Sequence, residues 1–183
     1  CGGSSVVKAN IHLGCQIKTD VLEIVLKHPT RNEYILNNED GRIIATTLVV
    51  ALRQAIATKL GIATDELGYA VKVKKIDDQA VLVLQIFDDL SGGAGFSTTA
   101  AHYIAEVLRS LVAEKLNCID DSCDSVCGKC LLDTQTRHDI ENLDRTLALA
   151  WLGDEFLTYL DSPIANTDFI AGTPFSIIEQ YVN

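Results

Sequence analysis

A chain of 183 residues that is 48% hydrophobic and 22% charged holds enough apolar material for a core of its own, which excludes disorder along its whole length. Its 15 Lys and Arg against 25 Asp and Glu leave a net charge of −10, so overall charge does not grip a phosphate backbone. Only a local strip, Lys72, Lys74 and Lys75, is basic, and its spacing reads as a solvated strand face. No apolar run reaches the roughly 18–20 residues of a membrane span. No basic stretch followed by an apolar one opens the chain, so no signal peptide is expected. The sequence starts at Cys1 and contains no Met, which reads as a piece of a longer protein.

In chain order, Cys1 to Ser5 reads as a flexible edge, and residues 1–10 as the margin of a domain. Val21 to Leu26 is β-branched and apolar, hence a strand, ended by His28-Pro29. Residues 31–41 read as polar and turn-like, closing on Asp40-Gly41. From Ile43 to Leu60 the period becomes helical, with Ile44, Leu48, Leu52 and Ile56 on one stripe and Gly61 as the stop. Tyr69 to Ile76 alternates as a half-buried strand. Across the turn Asp77-Asp78-Gln79, Val81 to Phe87 reads as a strand buried on both faces, paired with it in a hairpin. Ser97 or Thr98 is expected to cap one helix running to about Leu116. Further helices fit Ile140 to Leu152, ended by Gly153, and Glu155 to Leu160, before Pro163. These elements predict an α/β (α+β) domain over residues 11–160, with helices packed on a small mixed sheet, and a C-terminal extension over 161–183.

Four of the six cysteines fall within thirteen residues, spaced Cys118-x4-Cys123-x3-Cys127-x2-Cys130. Clustering of this kind, in a chain with its own core, points to a metal site and a reducing compartment. Four thiolates at tetrahedral corners suit zinc and leave no position for water, which makes such a site structural. Lys129, in the turn Gly128-Lys129, would offset thiolate charge. Four free or disulfide-bonded cysteines are the plain alternative, and an iron–sulfur cluster uses the same ligand type. The lone Cys15 reads as a small buried hydrophobe. His12, His28, His102 and His138 lack metal-ligand spacing and read as surface or capping residues.

Gly92, Gly93 and Gly95 lie between the buried strand and a helix start, where free N–H groups could hold an anion. The segment is neither a dinucleotide fingerprint nor a Walker A, and Asp88 and Asp89 beside it would repel phosphate. A sharp turn that needs glycine torsions is the simpler reading. No catalytic constellation is visible. An enzyme using this turn as an anion site is retained as the alternative class of function.

Taken together, Thr19-Asp20-Val21-Leu22-Glu23, Phe87-Asp88-Asp89, Gly92-Gly93-Ala94-Gly95-Phe96, the four cysteines followed by Leu131, and Leu143-Asp144-Arg145 with Ala148 and Leu149 resemble the MrfA-type zinc-binding domain. The resemblance covers about residues 11–153. Such domains occur in superfamily 2 DNA helicases and in anti-phage defence proteins, including the DISARM system. It implies that Cys118, Cys123, Cys127 and Cys130 ligate one zinc. It also implies an accessory role beside an ATP-driven helicase motor in the same polypeptide or a partner subunit. DNA would be reached through that complex, in the bacterial cytoplasm, for repair or defence. Arg145 is expected to tie its helix to the cysteine loop or to Asp88, which places Lys129, Arg145 and Asp88 as candidates around the metal.

Overall fold

Three strands and a long helix follow from the change of hydrophobic period along the chain. A computed structural model describes residues 16–160; Cys1, His12, Cys15, Pro163 and the segments 1–10 and 161–183 lie outside the described residues. Strand β1 spans Val21–Ile24, β2 Leu67–Ile76 and β3 Gln79–Asp88. The sheet has the order β1-β3-β2, and both pairings are antiparallel, with Val21 opposite Phe87 and Ile76 opposite Gln79. The two-residue hairpin turn places Asp77 at φ 50° and Asp78 at φ 62°, the torsions that match the twist of the strands. The central strand β3 is buried on both faces. Leu82, Leu84 and Ile86 face the core, while Val81 and Val83 on the opposite face are fully covered as well.

Helix α1, Glu39–Leu60, lies across the sheet. Ile44, Leu48, Leu52 and Ile56 are all buried, each contributing about 2 kcal/mol. Gly61 closes the helix at φ 68°. The helix starts earlier than the sequence predicts. Asn38 caps it by accepting the Gly41 N–H at 2.7 Å, so Asp40-Gly41 belongs to the first turn and not to a loop. Gly41 is required there because a Cβ would meet the Leu36 carbonyl oxygen at 1.9 Å. Contrary to the sequence expectation, α1 is long and apolar enough to cross a membrane by length and composition, but two-thirds of that window is spent inside the protein.

The predicted helix to Leu116 is interrupted. It divides into α2, Phe96–Ala101, α3, Ile104–Ser110, and a π-turn over Leu111–Lys115. The break is marked by short i→i−3 bonds from His102 N–H to Thr99 O and from Tyr103 N–H to Ala100 O. Residues Arg137–Asn142 form 3₁₀ turns, and α4 runs Arg145–Leu160 with a kink at Gly153, φ 63°. The helix expected from Ile140 therefore begins five residues later, where the Asp144 carboxylate accepts the N–H groups of Thr146 and Leu147 at 2.8 and 3.0 Å.

Helix α4 is fastened at both ends of its first half. The Asp144 N–H donates to Thr47 Oγ1 on α1 at 2.9 Å. At the other end, buried His28 faces the Leu152 carbonyl through Nε2 at 3.1 Å, and Arg31 donates to the Trp151 carbonyl. His28 thus caps a helix from the interior.

Candidate metal centre

The four cysteine sulfurs of the cluster all lie within 4.8 Å of one another. Cys118 and Cys127 Sγ are 3.6 Å apart, and Cys130 Sγ is 4.0 Å from both Cys123 and Cys127 Sγ. A disulfide would need about 2 Å. Tetrahedral zinc with Zn–S near 2.3 Å gives sulfur–sulfur edges of about 3.8 Å, which the observed spacings bracket. The donor set therefore fits one zinc with four thiolate ligands, and fits it as a closed site.

Local backbone makes the pocket. The Cys127 N–H points to Cys130 Sγ at 3.2 Å, and the Lys129 N–H to Cys127 Sγ at 3.4 Å. The Asp120 N–H points to Cys118 Sγ at 3.4 Å. That Lys129 N–H draws the Cys127 thiol down to about 7, whereas burial pushes the Cys130 thiol up to about 12. Metal binding takes the protons from both, because only the thiolate ligates. The Lys129 ammonium pairs with Asp120 Oδ2 at 2.9 Å. Asp120 also holds Ser122 and so closes its own loop.

The core grips this loop from two sides. Leu131, directly after the last ligand, is fully buried, and Gln54 of α1 donates to its carbonyl. Arg53 of α1 donates to Asp133 Oδ2 at 2.7 Å and to Gln135 Oε1 at 2.6 Å, and its guanidinium lies 4.8 Å from the Tyr69 ring centre. Asp133 in turn accepts the N–H groups of Gln135 and Thr136. Reading the sequence for chemistry missed Arg53. Its signal is a single charge inside the apolar run Leu48 to Ala57, a position that is buried only when it is paired. From the other side, Arg145 Nη2 donates to the Cys123 carbonyl at 2.6 Å, and its backbone N–H reaches Ser125 O at 3.3 Å. The Cys123 side chain beside it holds the Arg145 guanidinium above its ordinary pKa, against the desolvation that would lower it.

Asp88 stands elsewhere. Its fully buried carboxylate accepts the N–H groups of Ala94, Phe96 and Ser97 at 2.6, 3.1 and 2.8 Å. Burial raises its pKa, but the N–H donors of Ser97, Ala94 and Phe96 together lower it by more, and the net shift is downward. Asp88 thus sits where an anion held by the glycine turn would sit, and it faces those amides rather than Arg145. Neither Ser97 nor Thr98 caps α2; the cap position is Gly95 at φ 80°, and the acceptor comes from β3. Gly92 and Gly93 also have positive φ, and a Cβ on Gly93 would meet Asp20 Oδ2 at 2.4 Å. Thr19 Oγ1 donates to the Asp88 carbonyl at 2.7 Å. The Thr-Asp, Phe-Asp-Asp and glycine motifs, far apart in sequence, form one structural joint. In the strip Lys72, Lys74 and Lys75, Lys74 pairs with Glu23 and Lys75 with Asp78.

Residues 48–131 match the family model of the MrfA Zn-binding domain. Druantia protein DruE from Escherichia coli (strain UMEA 4076-1) is 29% identical over 152 residues, which is 78% of this chain and 8% of that protein. The chain therefore spans a small fraction of its curated relative. No solved structure matches. All four clustered cysteines, together with Arg53 and Gln54 of α1, fall inside the matched stretch. Over residues 48–131, the stretch that holds all four cysteines, the chain is thus similar to the MrfA Zn-binding domain.

Proposed function

We propose that this chain is the structural zinc-binding accessory domain of a much longer bacterial anti-phage defence protein, and that it docks and braces an ATP-driven DNA motor. The observation that carries the reading is the closed set of four sulfurs, locked between α1 through Arg53 and Gln54 and α4 through Arg145. A closed four-thiolate site has no coordination position for substrate, so its work is to hold shape. The matched family and a defence relative of far greater length support placing that shape inside a larger machine. The motor lies in the same polypeptide or a partner subunit, DNA is engaged through the assembly, and the location is the cytoplasm. A role in DNA repair is the alternative use of the same part.

The test uses the parent protein in a bacterial host challenged with phage. The paired substitution Cys127→Ser and Cys130→Ser is expected to abolish protection while the 183-residue wild-type chain, purified alone, holds one zinc and hydrolyses no ATP. Full protection by the zinc-deficient parent overturns the reading. Iron with a visible absorption band in the purified chain overturns it in favour of a cluster-dependent module.

A further inference from the structure

One zinc ion with four thiolates carries a net charge of 2−, and Cys123 among the ligands is buried. Such a charge needs hydrogen-bond donors or a cation close by, since outer-shell partners set ligand orientation and metal affinity. Lys129 spends its ammonium on Asp120 and is largely exposed. Arg145 is placed differently. Its Nη2 is committed to the Cys123 carbonyl and its backbone N–H to Ser125, so the side chain is fixed over the loop. Its Nε is buried and without a hydrogen-bond partner among the described residues. Nε and Nη2 are the two parallel donors of one guanidinium fork. When Nη2 takes the carbonyl of a residue, Nε is directed at whatever acceptor lies alongside, and a buried N–H without an acceptor is unfavourable.

We propose that Arg145 is a positioning residue of the zinc centre, its Nε–H donating to the Cys123 thiolate while Nη2 holds the Cys123 carbonyl. One side chain then fixes both ends of a single ligand residue and draws negative charge off its sulfur. The proposal rests on the zinc reading of the cluster. It explains why an Asp-Arg pair opens α4: Asp144 starts the helix and Arg145 attaches it to the metal loop. A lysine could supply the charge but not the two parallel bonds.

The experiment compares the 183-residue chain with Arg145→Met and Arg145→Lys. Zinc affinity is measured by competition with a chromophoric chelator, ligand character by the thiolate-to-metal charge-transfer band after Co²⁺ substitution, and folding by thermal melting. Arg145→Met is expected to bind zinc about 10–100-fold more weakly, with the Co²⁺ band shifted to lower energy and faster alkylation of the bound thiolates by iodoacetamide. Arg145→Lys is expected to recover part of the affinity without restoring the band. An unchanged band and unchanged affinity in Arg145→Met overturn the proposal, even if its melting temperature falls, because that pattern is a purely structural role. If Arg145→Met does not fold, solvent exchange of the Arg145 Nε–H in the zinc-loaded wild type decides. Slow exchange is expected, and exchange at the rate of a free guanidinium overturns the assignment. A wild type that binds neither zinc nor Co²⁺ removes the zinc reading itself.

Discussion

Replacing Asp88 by Ala removes one acceptor from three backbone donors at once. Hydrogen bonds to a charged group are worth about 1.5–3 kcal/mol each when broken on one side. Ser97 is fully buried and loses the whole amount, while the amides of exposed Ala94 and half-buried Phe96 regain part of it from water. The sum is about 4 kcal/mol, a large share of the 5–15 kcal/mol typical of a domain. For a domain of this size that corresponds to a fall in Tm of about 8–16 °C. Asp88→Asn keeps one oxygen acceptor and is expected to lose about half as much. The pH dependence has a fixed sign. The carboxylate is depressed in the folded protein, so its contribution is complete above the ordinary carboxylate range and fades as pH falls through the folded value. The gap between wild type and Asp88→Asn in urea denaturation should therefore be constant from pH 5 to 8 and close below about pH 4. Zinc content should not change in the folded variants. A loss below 1 kcal/mol for Asp88→Ala refutes the assignment of the carboxylate as the turn's internal anion. Loss of zinc with unchanged stability would place Asp88 at the metal centre instead.

Stripping zinc with a strong chelator should lower Tm by about 8–16 °C, because free zinc at a thousand times the dissociation constant stabilises by about 4 kcal/mol; an unchanged melting curve would remove the metal from the fold. Arg53→Ala is expected to cost about 3 kcal/mol in urea denaturation, since it leaves Asp133 and Gln135 without their buried partner and unpins the loop after Cys130; a change within about 0.5 kcal/mol, the range of neutral substitutions, contradicts it. Gly41→Ala should destabilise by about 2 kcal/mol through the clash with the Leu36 carbonyl, although Gly→Ala inside a helix ordinarily stabilises by about 1 kcal/mol; the sign in a thermal melt decides between them.

The parts of the fold set by short-range chemistry were legible in the residues. The β2–β3 hairpin is written in alternation and in an Asp-Asp turn, the end of α1 in Gly61, and the metal site in cysteine spacing. The rest depends on partners distant in the chain. Gly41 reads as a turn residue until Leu36 is seen against it. The break at His102-Tyr103 leaves no trace in periodicity, because Ser97, Ala100, Ile104, Val107, Leu108 and Leu111 are buried at one helical spacing right across it. Asp88 reads as a charge that repels anions, and only the folded turn shows that it supplies the anion. Arg53 was passed over because its partners follow eighty residues later in the chain.

The start of α4 has a consequence for the order in which the molecule assembles. Its first residues are held by Thr47, 97 residues away, and by Cys123, 22 residues away. A helix of sixteen residues interrupted by Gly153 has little ability to nucleate alone. Its docking is therefore expected to follow the formation of α1 and the closing of the cysteine loop. The chain's single tryptophan, Trp151, rides on that helix with its ring edge-on to His28. Trp151 fluorescence is therefore placed to report the docking of α4, and in a stopped-flow refolding experiment its change is expected to trail the burial of α1.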